Sequence, residues 1–312
     1  MNMNIIEPIN QQKLFGLDNH FLELVRLYKN NIYPNKLLLS GPKGIGKSTL
    51  AYHFINYVLS KNEDQKYDLS NFEINSNSPT FKTILNGSNS NLTIIDINIE
   101  KKFIDINQIR DLIKNLNKSS FNNKPRFVLI DNIEFLNTNS INALLKVLEE
   151  PNHNIHFILI NNNKRVLPTL LSRCINYKIY LTNKECLQIS NQLLNDKLEN
   201  LINRELINYY FTPGNIYYLV KFAQQYNYDL SNLDLRSFLK IIIKENHYKK
   251  DLFMKNIIFS LVEFYFRKLN LSVSKKIFEK YSYFLKKISD TKNFNLDEES
   301  LFMEFEEQIL DG

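Results

Sequence analysis

Cysteine, tryptophan and glycine are all scarce in this chain. Two cysteines, Cys174 and Cys186, occur in 312 residues, and Trp is absent. There is no C-x-x-C, and two thiols cannot complete a four-cysteine zinc site, so no zinc is expected. The five histidines, His20, His53, His153, His156 and His247, are scattered. His153 and His156 flank an expected strand with no cysteine near, and they read as structural or exposed. The opening MNMNIIEPINQQ has neither a basic start nor an apolar core, which excludes a signal peptide. The longest apolar run, residues 257–266, is too short to span a bilayer. No internal repeat is present. A cytoplasmic protein without a membrane partner is expected.

Glycine is used seven times, and three of the seven fall in one place. Gly41, Gly44 and Gly46 lie in GPKGIGKST, which fits G-x-x-x-x-G-K-[ST] with Gly41, Gly46, Lys47 and Ser48 on the fixed positions. The preceding LLLS, residues 37–40, reads as a buried strand, and the following TLAYHFINYVLS has helical spacing. Strand, glycine loop and helix is the context this phosphate cradle requires. Glycines let backbone N–H groups approach phosphates closely, and the helix N-terminus adds positive dipole. ATP or ADP with Mg²⁺ is the expected ligand. Lys47 would meet the terminal phosphates and Ser48 would hold Mg²⁺, with Thr49 in the same helix start.

At this length two or three domains are expected. The net charge of +6 is compatible with contact to nucleic acid without requiring it. Residues 1–181 alternate strand-like and helix-like segments. Strands are expected at 37–40, 92–97, 126–131, 156–160 and 175–181. Helices are expected at 106–118, where Ile106, Ile109, Leu112, Ile113 and Leu116 form a stripe, and at 139–150, stopped by Pro151. Such alternation predicts a mostly parallel sheet covered on both faces. The Asn- and Ser-rich stretch 61–91 reads as a surface insertion. Beyond residue 182 strand signals vanish: short helices are expected over 182–228 and longer, aromatic-faced ones over 229–312.

FVLID ends in Asp131, an aspartate at the end of a buried strand downstream of the glycine loop, where a Mg²⁺-side carboxylate belongs. Hydrolysing enzymes of this type place a glutamate next. Here Asn132 follows, and an amide cannot take a proton from water, which removes a contribution of about 10²–10⁴-fold. Glu134 is expected to point elsewhere; the alternative is that it substitutes as base after a local shift. After the strand at 156–160, Asn161 is placed to sense a terminal phosphate, whereas Asn162 and Asn163 read as loop. In LPTLLSRC, residues 167–174, Arg173 sits between a short helix and a strand. Its guanidinium is expected to face away from its own glycine loop, as an arginine finger toward a neighbour's nucleotide, or else to pair with a carboxylate of its own domain.

Taken together, GPKGIGKST, FVLID, NALLKVLEEP (residues 142–151) and TLLSRC, in that order and spacing, resemble the clamp-loader branch of the AAA+ ATPases. Within it the chain is most similar to the delta-prime subunits of bacterial DNA polymerase III. The likeness covers about residues 13–182. It implies a P-loop AAA+ α/β domain over 1–181, a small helical lid over 182–228 and an all-α collar over 229–312. The collar's aromatic faces would pack partly against neighbouring subunits. The implied partners are the motor and delta subunits of the loader, the sliding clamp and, through the assembly, primed DNA. Two parts of the motor pattern are missing. These are the base at 132 and a lid arginine, since no arginine lies between Arg204 and Arg236. The implied role is a non-motor stator that donates Arg173 in trans. The competing expectation is an active AAA+ ATPase, either the loader's motor subunit or a related DNA-remodelling enzyme. A small-molecule kinase would need neither the S-R-C nor the helical C-terminal region.

Overall fold

The computed structural model describes residues 7–97, 103–117, 122–149, 154–164, 166–207, 211–269, 275–294 and 296–311. The chain divides into two compact units, one of residues 2–193 with 212–215, the other of residues 194–211 with 216–312.

The first unit is an α/β layer structure. Its strands are β1 Lys36–Ser40, β2 Leu92–Ile95, β3 Arg126–Ile130, β4 Ile155–Asn161 and β5 Ile175–Lys178. They form one sheet in the order β2-β3-β4-β1-β5, every pairing parallel. Its helices are α1 Asp18–Lys29, α2 Lys47–Leu59, α3 Pro79–Leu85, α4 Ile106–Leu116, α5 Thr138–Glu149, α6 Pro168–Leu171 and α7 Asn183–Leu194. Strand side chains alternate between faces. Leu37, Leu39, Phe127, Leu129, Ile158 and Ile160 join a core with Phe21, Leu50 and Phe54 of α1 and α2. Leu38, Val128, Ile130, Phe157 and Leu159 join the opposite core with Ile109, Leu112, Leu144, Leu148 and Leu170. Burial on both faces is why these strands are nearly continuous apolar runs. The α4 stripe begins at a capping box, in which Asp105 and Gln108 bond each other's backbone N–H groups. Glu150, Pro151 and His153 lie outside the described residues.

The stretch 61–91 is not the surface insertion its composition suggests. Tyr67, Ile74, Phe81 and Ile84 are buried in the core around α2, and Ser78 caps α3. The Asn and Ser residues supply turns, while four well-spaced apolar side chains do the packing. Polar content reflects the turns rather than burial of the segment.

His53, fully buried on α2, joins this region to the N-terminal segment. Its Nε2 donates to the Gln11 carbonyl at 3.0 Å, so Nδ1 accepts from the Tyr67 hydroxyl at 2.8 Å. Burial pushes its pKa down to about 4. The unfolded chain, near 6.5, binds a proton that the folded chain refuses. This stability is therefore complete above pH 6.5 and lost as pH falls toward 4, by about 3 kcal/mol. His156 and His247 are lowered too, also by burial. Urea midpoints should fall between pH 6.5 and 4, and His53→Asn should flatten that fall; an unchanged slope would contradict it.

The second unit is helical: α8 Leu198–Leu201, most of α9 Pro213–Tyr226, α10 Leu235–Lys244, α11 His247–Lys250, α12 Leu252–Leu269, α13 Lys275–Phe294 and α14 Glu298–Phe305. Asp234 and Asp297 cap α10 and α14. Phe238, Phe266, Phe284, Phe302 and Phe305 are fully buried within it, and Phe266, Phe284 and Phe305 lie 5.6–5.7 Å apart, ring to ring. These aromatics serve the chain's own core; Tyr283 and Phe294 remain exposed.

Candidate functional site

Three strand ends meet at the glycine loop. β1 runs into Gly41, β3 into Asp131 and β4 ends at Asn161, all at the C-terminal edge of the sheet. That edge is where parallel α/β sheets place their ligands. Gly41 donates its N–H to the Asn161 carbonyl at 3.3 Å, which ties the loop to the neighbouring strand.

The loop is a cradle only glycine can line. Gly44 and Gly46 have φ of 86° and 93°, and Gly46 is the residue on which α2 starts. A Cβ on Gly41 would lie 2.6 Å from the Ile179 carbonyl oxygen. Lys47, just past it, is 3% exposed. Its ammonium donates to the carbonyls of Gly41 at 2.9 Å and Pro42 at 2.6 Å, so it lies inside the loop. Burial pushes its pKa down to about 8, against the upward pull of Asp131 and Glu134. Ser48 and Thr49 occupy the first turn of α2. Ser48 donates to Asp131 Oδ2 at 2.5 Å, which brings together the hydroxyl and carboxylate expected on the Mg²⁺ side. Burial raises the pKa of Asp131, opposed by the Ser48 bond. The positive-φ glycines, the buried lysine and this Ser–Asp pair fit a Mg²⁺-bound polyphosphate.

Asn132 follows with φ 55° and ψ 46°, a left-handed turn that asparagine tolerates. Its amide is used at both ends. Nδ2 donates to Asp96 Oδ1 at 2.7 Å, just past β2, and Oδ1 accepts from Asn162 Nδ2 at 2.9 Å. Glu134 does not point elsewhere, as the sequence suggested. Asn162 donates to it from Nδ2 at 3.1 Å and from its backbone N–H at 3.4 Å, and its charge is felt at Lys47. Asn161, the expected sensor, instead closes its own turn: Nδ2 donates to the Lys164 carbonyl and Oδ1 accepts the Lys164 N–H. Asn162, just past β4, is the asparagine that bonds Asn132 and Glu134. In an asparagine-rich chain nothing local distinguishes the two.

The start of α9 closes over the loop. Thr212 Oγ1 donates to the Lys43 carbonyl at 2.9 Å, and the Gly214 N–H donates to the Gly44 carbonyl at 2.9 Å. A Cβ on Gly214 would lie 2.8 Å from Gly44 Cα, so the two glycines permit a backbone-to-backbone approach.

Arg173 lies apart from this cluster, after α6. Nη2 donates to Glu149 Oε1 at 2.7 Å and Nη1 to the Thr169 carbonyl at 2.8 Å. The Arg173 side chain is one-third exposed, with that of Glu149 about half exposed. It therefore makes the in-domain pair and still reaches solvent.

Among the described residues no helix is long and apolar enough to cross a membrane, and no group of three His, Cys, Asp or Glu side chains could hold a metal ion.

Residues 17–183 match the family model described as DNA polymerase III, delta subunit. The chain is 28% identical over 201 residues to the DNA polymerase III subunit gamma/tau of Mycoplasma genitalium, covering 64% of this chain and 31% of that protein. It is 31% identical over 175 residues to the DNA polymerase III subunit delta' of Buchnera aphidicola, covering 51% and 49%. It thus spans less than half the length of either relative. A DNA polymerase III gamma subunit-related protein from Thermotoga maritima superimposes with a TM-score of 0.45 at 18% identity, covering 90% of this chain and 96% of that one.

Proposed function

This chain belongs to the DNA polymerase III, delta subunit family, and from that premise we propose that it is the delta-prime-type, non-motor subunit of a clamp loader. In this role it holds a nucleotide without turning it over and lends Arg173 to a neighbouring subunit's ATP. Its partners would be the motor and delta subunits, the sliding clamp and, through the assembly, primed DNA. Residues 182–228 would serve as lid and residues 229–312 as collar.

One observation carries the non-motor role. Where a general base would stand, the Asn132 amide is bonded on one side to Asp96 and on the other to Asn162. It can neither accept the proton of an attacking water nor swing aside without breaking both bonds. A general base contributes about 10²–10⁴-fold. Purified chain with Mg-ATP should therefore release phosphate at a rate near background. Steady turnover at about 1 s⁻¹ or more would overturn the non-motor role.

Such turnover would favour the active-ATPase alternative, for which Glu134 is the specific support. That carboxylate is on the site side, bonded to Asn162 and felt by Lys47. Glu134→Gln distinguishes the two cases. It should leave a background rate unchanged in a non-motor chain and abolish turnover if Glu134 is the base.

A further inference from the structure

We infer that Glu149 is a positioning residue for Arg173. Its carboxylate, together with the Thr169 carbonyl, holds the guanidinium in the orientation that a neighbouring subunit's phosphate would meet. This rests on the trans role proposed above and names the residue that regulates its geometry.

The anchors come from two elements. Glu149 is the last residue of α5, and Thr169 lies within α6. Each takes a different terminal nitrogen: Nη2 goes to Glu149 Oε1 at 2.7 Å and Nη1 to Thr169 O at 2.8 Å. A planar guanidinium held at both terminal nitrogens has its plane fixed. It carries five N–H groups, so three stay unspent among the described residues and can be offered to an anion. An arginine tethered at one point would sweep through its rotamers and lose that order on every encounter.

Exposure argues that the pair is not there chiefly for stability. The side chains are 32% and 54% accessible, and ion pairs so open to water stabilise little. Orientation is a different matter, because a misplacement of about 1 Å can cost roughly 10²-fold in rate. The carboxylate also offsets part of the guanidinium's charge. An uncharged oxygen acceptor at the same reach makes a weaker bond but keeps the geometry and leaves more of the guanidinium's charge for a phosphate.

The test uses the intact clamp-loader assembly with this subunit exchanged, reading clamp- and DNA-stimulated ATP hydrolysis. Glu149→Asp, which withdraws the carboxylate by one methylene, and Glu149→Ala should each lower kcat by roughly three- to tenfold, with KM for ATP, assembly and melting temperature unchanged. Glu149→Gln keeps an oxygen acceptor at the same reach and should restore kcat. Two variants keep the test informative if one fails to assemble. If Arg173→Ala lowers kcat while Glu149→Ala and Glu149→Asp do not, the positioning role is wrong and the trans finger stands. If Arg173→Ala itself has no effect, the trans role fails first.

Discussion

Arg173→Ala should fold and assemble normally, yet under the trans role proposed above the neighbouring nucleotide site should lose about 10³–10⁵-fold in hydrolysis rate, the range for an arginine finger. The mutation removes a group that is one-third exposed and bonded to a half-exposed carboxylate. Loss of such a pair costs at most about 1 kcal/mol of stability, so melting should barely move. A large fall in stimulated ATPase beside an unmoved melting temperature is the signature of a residue acting across a subunit boundary. Arg173→Lys should recover only part of the rate. An ammonium carries the charge but lacks the planar fork that binds Glu149 and Thr169 with one N–H from each of two nitrogens and leaves further N–H groups for a phosphate. An assembly containing Arg173→Ala that hydrolyses ATP and loads clamps at the normal rate would refute the trans assignment.

The parts legible in the sequence were those whose chemistry is local. Gly41, Gly44 and Gly46 cluster because a phosphate loop needs positive φ and close backbone approach within six residues, and the structure places all three in one cradle. Strands β1, β3 and β4 were legible because double-faced burial leaves apolar runs no helix of that length would need, and the β1 and β3 ends fall within a residue of expectation. What escaped was tertiary. Asp96 and Asn132 are far apart in sequence and meet because β2 and β3 pair in register, Ile95 opposite Ile130. The choice of Asn162 over Asn161 depends on which side chain closes the turn after β4. The pairing of Glu149 with Arg173 depends on the end of α5 standing beside the residues after α6. The approach of Gly214 to Gly44 joins two glycines with no shared motif. No spacing rule reaches across such distances.

Restoring a glutamate at position 132 should fail unless Asp96 changes as well. The Asn132 amide donates to Asp96 Oδ1 at 2.7 Å, and a glutamate there would bring two carboxylates together where an N–H now bridges. Like charges that close are held apart or shed charge by taking up a proton, and in either case the new side chain is no base. Asn132→Glu alone should therefore leave ATP turnover near background and lower the melting temperature by a few degrees, the shift that about 1 kcal/mol produces in a domain of this size. Asp96→Asn together with Asn132→Glu reverses the pair: the amide now stands just past β2 and donates to the introduced carboxylate, which keeps its charge and faces the nucleotide. The double variant should recover the part of the lost stability that came from the facing carboxylates, though not the cost of a glutamate at the left-handed φ of 55° that asparagine tolerates. It should also raise turnover above the single variant, toward the gain of about 10²–10⁴-fold that a positioned base supplies. The comparison is made with phosphate release and melting curves on the four members of the cycle, wild type included. Equal turnover and equal melting in Asn132→Glu with and without Asp96→Asn would mean the two positions are independent; a raised rate in both would place the block on hydrolysis in residue 132 alone, and a background rate in both would place it elsewhere in the site.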